Sequence, residues 1–337
     1  MPGSFLAEGA FFTAVRACRG SIYTLPPVFE WKNFPKADAL RRAVFGMAHD
    51  HLWSNLNDLK ALCTPPPSNM PTSSNGAPSE GCLYSSKNRW PPSWTRLPAQ
   101  LTAVRRHKTM LMVNWPTAWS RSIRTAYRLV QEGAVGRVWQ VTWRGGHGGP
   151  DELGCSDEFC QFLFDKDLNG AGAFNDYGGY GSCLCLLFMG GSPTSVVGMA
   201  GRLTKDHLPV DDNGAILMRY PQGMCRIEMT WSEAVSNVPA HDPVIYGTEG
   251  TLIAGRQVTL HTRSDDEGTV VELDTLQENG QNATDHFLHS IRSGEEPQFQ
   301  TSAQLSRAAQ EIMEGGLRSA MSGVEVSLPI EDHLFRG

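Results

Sequence analysis

Gly170-Ala-Gly-Ala-Phe-Asn-Asp-Tyr-Gly-Gly-Tyr180-Gly181 sets a carboxylate, Asp176, four residues before a phenol, Tyr180, in a stretch crowded with glycine. On a helix, residues i and i+4 share a face, so both groups point into the same space. Glycine is a poor residue for a helix interior, and this density costs stability. One reason for it is close approach of a ligand or another backbone. The other is a helix packed tightly against a sheet. The segment alone leaves both open.

Downstream of this helix, strand-like segments follow at 194–201, 213–220, 223–231, 242–247 and 251–254, with turns such as Pro221-Gln-Gly223 between them. Residues 282–292 and 302–322 read as helices, and 324–329 as a final strand. Upstream, Val138-Trp-Gln-Val-Thr-Trp-Arg144 is a clear strand, and a Gly-rich loop joins it to the helix. Before it, Met110-Leu-Met-Val-Asn114 has the pattern of a buried strand, and a helix spans 117–133 with Gly133 as its C-cap. Strands joined by short turns, with helices segregated before and after, predict an α+β domain on a largely antiparallel sheet.

The N-terminal part differs in kind. Residues 1–42 show no sustained periodicity and form an unassigned extension. Arg41-Arg-Ala-Val-Phe-Gly46 reads as a short strand ending in glycine, and Asp50 caps a helix with Leu52, Trp53, Leu56, Leu59 and Leu62 at helical spacing. Strand, glycine turn and helix open a βαβ unit whose helix N-terminus suits a phosphate. From Cys63 to Lys108 the chain turns rich in Pro and Ser, with Glu80 as its only acid and neither period in its apolar residues. Such a run is expected to lack structure.

Composition bounds the function. A chain of 337 residues with 40% hydrophobic content has room for two cored domains. A net charge of -6 without a basic stripe argues against nucleic acid. No apolar run reaches membrane-spanning length, and Met1 to Gly20 makes a poor signal peptide. The eight cysteines lack zinc-site spacing, so free thiols in a cytoplasmic protein are expected, with no metal.

From about Met110 onward the chain resembles the Gfo/Idh/MocA family of nicotinamide-dependent sugar and polyol oxidoreductases. The matches, in the family's order, are Leu111-Met-Val-Asn-Trp-Pro116, Val130-Gln-Glu-Gly-Ala-Val-Gly-Arg-Val138, the glycine-rich helix start, Val210-Asp-Asp-Asn213, Tyr246-Gly-Thr-Glu-Gly-Thr-Leu252 and Phe287-Leu-His-Ser-Ile-Arg-Ser-Gly294. The resemblance implies a fold of α/β + α+β type: a partial Rossmann-like half over 43–115, then a substrate and oligomerisation domain over 116–337 with a large open, mostly antiparallel sheet. It also implies a site between the two, a sugar or polyol substrate, an NAD or NADP cofactor, and a homo-oligomer built through the sheet.

In that family the glycine-rich helix carries an Asp and, four residues on, usually a His that work on the substrate hydroxyl. Asp176 takes the first position, but Tyr180 takes the second. A phenol with a pKa near ~10 is a poorer base than imidazole at neutral pH, though it can donate to an alkoxide or carbonyl oxygen. His147, in Arg144-Gly-Gly-His-Gly-Gly-Pro150, is the candidate compensating imidazole, against the plainer reading of a loop histidine without a role. The cofactor fingerprint is degenerate: Gly46 remains, while Ala48 and His51 replace the other two glycines, and His51 obstructs tight helix–strand packing. The ribose-binding acid and the family's Glu-Lys-Pro motif are missing. Either the chain is a shortened member with weakened or lost dinucleotide binding, or 63–108 is an out-of-frame translation. An NAD(P)-dependent oxidoreductase is the first functional expectation. A non-catalytic binding or assembly protein is the alternative, and a glycosidase of the same fold a third reading.

Overall fold

A computed structural model describes residues 43–47, 84–87 and 110–330. The extension over 1–42, the helix expected over 50–62, and the fingerprint positions Ala48 and His51 lie outside the described residues.

Three parallel strands come first: β1 (Ala43–Met47), β2 (Tyr84–Lys87) and β3 (Met110–Asn114), in the order β2-β1-β3. β1 lies between the other two, with Gly46 opposite Ser86 on one side and Val113 on the other. One expectation needs correction here. Within 63–108, residues 84–87 form a strand, because backbone pairing to β1 can order a segment that shows no apolar period of its own. The connection from β2 to β3 crosses β1, so the winding reverses there, and in doubly wound sheets such a reversal opens a crevice outside the carboxyl ends of the strands.

β3 runs into a 3-10 turn (Pro116–Trp119) and helix α1 (Arg121–Gln131), capped by the Ser120 hydroxyl, which accepts from the amide of Ile123. Then comes β4 (Val138–Gly146). Two short helices follow, α2 (Asp157–Leu163) and α3 (Lys166–Asn169), where a loop was expected. The long helix α4 occupies Ala173–Met189 and ends on left-handed Gly190. Seven strands come next: β5 (Ser195–Gly201), β6 (Asn213–Tyr220), β7 (Gly223–Thr230), β8 (Val244–Gly247), β9 (Gly250–Ala254), β10 (Val258–Thr262) and β11 (Asp265–Val271). Helices α5 (Ala283–Ser293) and α6 (Ala303–Ser322) and the short β12 (Val326–Ser327) complete the described chain.

These strands build one nine-stranded sheet in the order β11-β10-β9-β8-β4-β7-β6-β5-β12. β4 lies at its centre and pairs parallel with β7, while every other pair is antiparallel. Alternation along the strands sets the two faces. Val141, Trp143, Ile216, Met218, Cys225, Ile227 and Met229 are buried and share a core with Leu184, Phe188 and Ile312 of the helices. On the opposite face Val197, Met199, Leu217 and Met224 are exposed. The β10–β11 hairpin was not anticipated. β10 puts only Val258 and Leu260 against the core, and β11 is polar and largely exposed, so their pairing leaves little trace in apolar spacing. Among the described residues no helix is long and apolar enough to cross a membrane, and no cluster of three His, Cys, Asp or Glu could hold a metal ion.

Candidate active site

Helix α4 explains its own glycines. A Cβ on Gly179 would run into the indole of Trp115, and one on Gly181 would come within 2.6 Å of the Trp143 ring. Aromatic rings from β4 and from the end of β3 therefore lie directly on the helix backbone, so the packing explanation applies at these two positions. Trp115 is anchored by its indole N–H, which donates to Ser306 Oγ at 3.0 Å, and it meets Tyr180 edge-on at 5.4 Å. Tyr180 is thereby buried beside the first residue after β3.

The start of α4 is held from outside. Asp211 accepts the amides of Gly172 and Phe174 at 2.8 Å each, supplying two of the donors that a helix start leaves without partners. Burial pushes the Asp211 carboxyl above its usual range, against the pull of those amides. Its neighbour Asp212 is different. Burial works against its charge too, but the amides of Leu203 and Thr204 and the side chains of Asn213 and Thr204 outweigh it and hold the carboxyl well below the ordinary range. Both acids of the Val210-Asp-Asp-Asn213 motif thus serve architecture.

Asp176 sits in the first turn of α4, where the helix dipole favours a negative charge. It is 5% exposed. Its Oδ2 accepts the indole N–H of Trp231 at 2.7 Å, and the same oxygen faces His147 Nε2 at 3.8 Å. His147 Nδ1 accepts the amide of Gly149 at 2.9 Å, which places the proton of a neutral imidazole on Nε2, toward Asp176. At 3.8 Å the two groups face each other without a formed hydrogen bond.

The loop bearing His147 is pinned at several points. The amide of His147 donates to Thr230 O, its carbonyl accepts from Glu233 N, and a Cβ on Gly149 would meet Lys205. Lys205 in turn pairs with Glu152 and Asp151. Behind the loop, burial opposes the charge of Glu233, but Asn237 N, His241 and Arg144 hold that carboxyl below its usual range. Tyr177 lies edge-on to His147 at 5.3 Å and 6.1 Å from Tyr180, so aromatic rings flank the acid.

The sequence-derived trio of Asp176, Tyr180 and His147 is thus gathered around one helix turn. Of the cofactor candidates only Gly46 is described; it lies within β1. Trp231 and Tyr177 were missed. Tyr177 could have been suspected from its place beside Asp176 on the same helix. Trp231 follows β7, 55 residues from its carboxylate partner, and nothing local in the sequence announces the contact.

Comparison with known proteins bears on this domain. No curated protein matches the chain in sequence. In structure it is similar to the aldose-aldose oxidoreductase of Caulobacter crescentus, solved with glycerol, at 19% identity and a TM-score of 0.60 over 70% of this chain and 69% of that one. It is similar to an inositol dehydrogenase homolog of Azotobacter vinelandii, solved with NAD+, at 16% identity and a TM-score of 0.60 over 70% and 69%. It is also similar to the WlbA dehydrogenase of Bordetella pertussis, solved with NADH and UDP-GlcNAcA, at 18% identity and a TM-score of 0.56 over 71% and 70%. At these identities the likeness is one of fold. In sequence, residues 123–253, which include His147, Asp176, Tyr180 and Trp231, match the GFO/IDH/MocA C-terminal domain.

Proposed function

We propose that the chain is an oxidoreductase that moves a hydride between a nicotinamide cofactor and a carbon bearing a hydroxyl, on a sugar or polyol. The observation that carries this reading is the buried carboxylate of Asp176 in the first turn of α4, with an imidazole facing the same oxygen. Asp176 takes the proton of the substrate hydroxyl or fixes its oxygen. His147, with its proton on Nε2, turns a donor toward that carboxylate and favours its charge, and Tyr180 positions the reacting oxygen. A general acid–base group of this kind contributes about 10²–10⁴ in rate. The ring of Tyr177, half-buried beside His147, suits the apolar face of a sugar ring.

The dinucleotide, when bound, supplies the hydride acceptor. The reversal of winding at β1 fits it, since a crevice would open outside the carboxyl ends of β1 and β3, and Trp115 just after β3 touches Tyr180. Gly46, Ala48 and His51 would stand nearest the phosphates. Two of the three fingerprint glycines are replaced, so binding is weak. NAD is favoured over NADP by the dinucleotides in the Azotobacter vinelandii and Bordetella pertussis relatives. The domains proposed with this reading are 43–115 and 116–337.

Titrating the full chain with NAD+ and NADH, read by tryptophan quenching, tests the cofactor. A panel of aldoses and polyols, read by NADH formation with Asp176→Asn as the comparison, tests the chemistry. Absence of both saturable quenching and turnover would leave the assembly reading. One observation favours an assembly role alongside catalysis: the outer face of the sheet exposes Val197, Met199, Leu217 and Met224 on neighbouring strands. A second copy of the chain covers that face. Met199→Glu with Leu217→Glu should then lower the mass measured by light scattering to that of a monomer.

A further inference from the structure

Trp231 is fully buried, and its position is determined from several sides. Its amide donates to Asp212 O at 2.7 Å. Its ring meets Phe164 edge-on at 5.9 Å and packs among Phe159, Leu163, Leu208 and Val210. Indole N–H is a donor and never an acceptor. The ring so fixed aims that donor at Asp176 Oδ2, at 2.7 Å, within the range of charge-assisted bonds. A donor to a carboxylate favours its charged form. It also fixes the rotation of the carboxyl group, and with it the oxygen presented to His147.

We propose that Trp231 is a positioning residue for Asp176: its indole N–H keeps the carboxylate ionised and oriented toward His147 at the reacting centre. The inference rests on the acid–base role of Asp176 proposed above, but it concerns a proton equilibrium that can be read without substrate or cofactor. Of the described titratable groups, His147 from the loop after β4 faces the carboxylate, Tyr177 and Tyr180 stand on α4 itself, and Asp211 holds the helix start.

The test uses the full chain labelled with ¹⁵N in its nine tryptophans and ¹³C in its aspartate carboxyls. One indole N–H resonance should lie downfield and move as the pH falls through the titration of Asp176. In Asp176→Asn that movement should vanish. An indole spectrum with no resonance that behaves this way overturns the proposal, and this comparison does not need any tryptophan variant to fold. Trp231→Phe keeps an aromatic ring in the pocket but lacks the donor. The Asp176 midpoint should rise by about one pH unit or more, the shift expected from losing a hydrogen bond to a charged group. Phe164→Leu disturbs the packing of Trp231 and leaves its N–H, so it should move the midpoint much less. An unchanged midpoint in folded Trp231→Phe, or an equal rise in Phe164→Leu, would reduce Trp231 to a packing residue. His147→Gln run in parallel removes the imidazole seen to face the same oxygen and separates its titration from that of the acid. If no dehydrogenase activity is found while the indole titrates as described, the functional reading fails and the structural relation between Trp231 and Asp176 stands.

Discussion

Two buried carboxylates, Asp176 and Asp212, lie on either side of Trp231 and are used in opposite ways. Asp212 takes the backbone amides of Leu203, Thr204 and Lys205 and the hydroxyls of Thr204 and Ser232, closing the turn before β6. Asp176 has among its described neighbours the indole of Trp231 and the imidazole of His147. Backbone amides hold a charge in place but neither give up nor accept a proton at ordinary pH. An imidazole can do both. The same residue type is therefore a knot in one region and a candidate acid–base group in the other, and the kind of donor around it makes the difference. Trp231 joins the two, with its amide on Asp212 and its indole on Asp176.

The sharpest way to break this contrast is Asp176→Asn. In an active preparation turnover should fall by about 10²–10⁴ with little change in melting temperature. An unchanged rate per folded molecule with a lowered melting point would make Asp176 a second Asp212. The converse change, Asp212→Ala, should cost about 3–5 kcal/mol in denaturant unfolding, because several amides lose a buried charged partner together. A loss below about 1 kcal/mol would show that the turn holds without it.

The acid limb of stability distinguishes the two further. The folded-state value for Asp212 is depressed, so its contribution is present above the unfolded value of about 4 and is lost as the pH falls toward the folded one. Wild-type protein should thus lose stability below about pH 4, and Asp212→Asn should flatten that slope. Asp211 has the opposite sign. Its folded value is raised by burial, so its own term grows more favourable as the pH falls, and Asp211→Asn should be tolerated better than Asp212→Asn at neutral pH.

Gly179→Ala probes how tightly α4 is seated. Its methyl would enter the Trp115 ring, and overpacking of this kind costs about 1–3 kcal/mol. The smallest effect is expected at Tyr180. Tyr180→Phe should reduce turnover by less than about tenfold, since a phenol positions rather than carries the proton. Tyr180→His should be tolerated. A Tyr180→Phe defect as large as that of Asp176→Asn would move the proton-transfer role onto the phenol.

Much of the fold was open to reading along the chain. The helical spacing over 282–292 and 302–322 matches α5 and α6, and the alternation over 213–220 and 223–231 matches β6 and β7. That Asp176 and Tyr180 stand four residues apart on one helix needed only the period of the helix. Such periodicity is local: it records which side of an element is buried, whatever lies against it. What lay beyond reach was non-local. β11 is polar and gains its order from pairing with β10, which pairs in turn with β9. The glycines of α4 became intelligible only once Trp115 and Trp143 were seen lying on them. His147 and Trp231 reach Asp176 because β4 and β7 are paired in parallel, with Gly146 beside Thr230, so that the segments just beyond both strands emerge at the same end of the sheet as the start of α4. Strand register decides which side chains meet there, and register is set by the packing of the whole sheet rather than by any short stretch of residues.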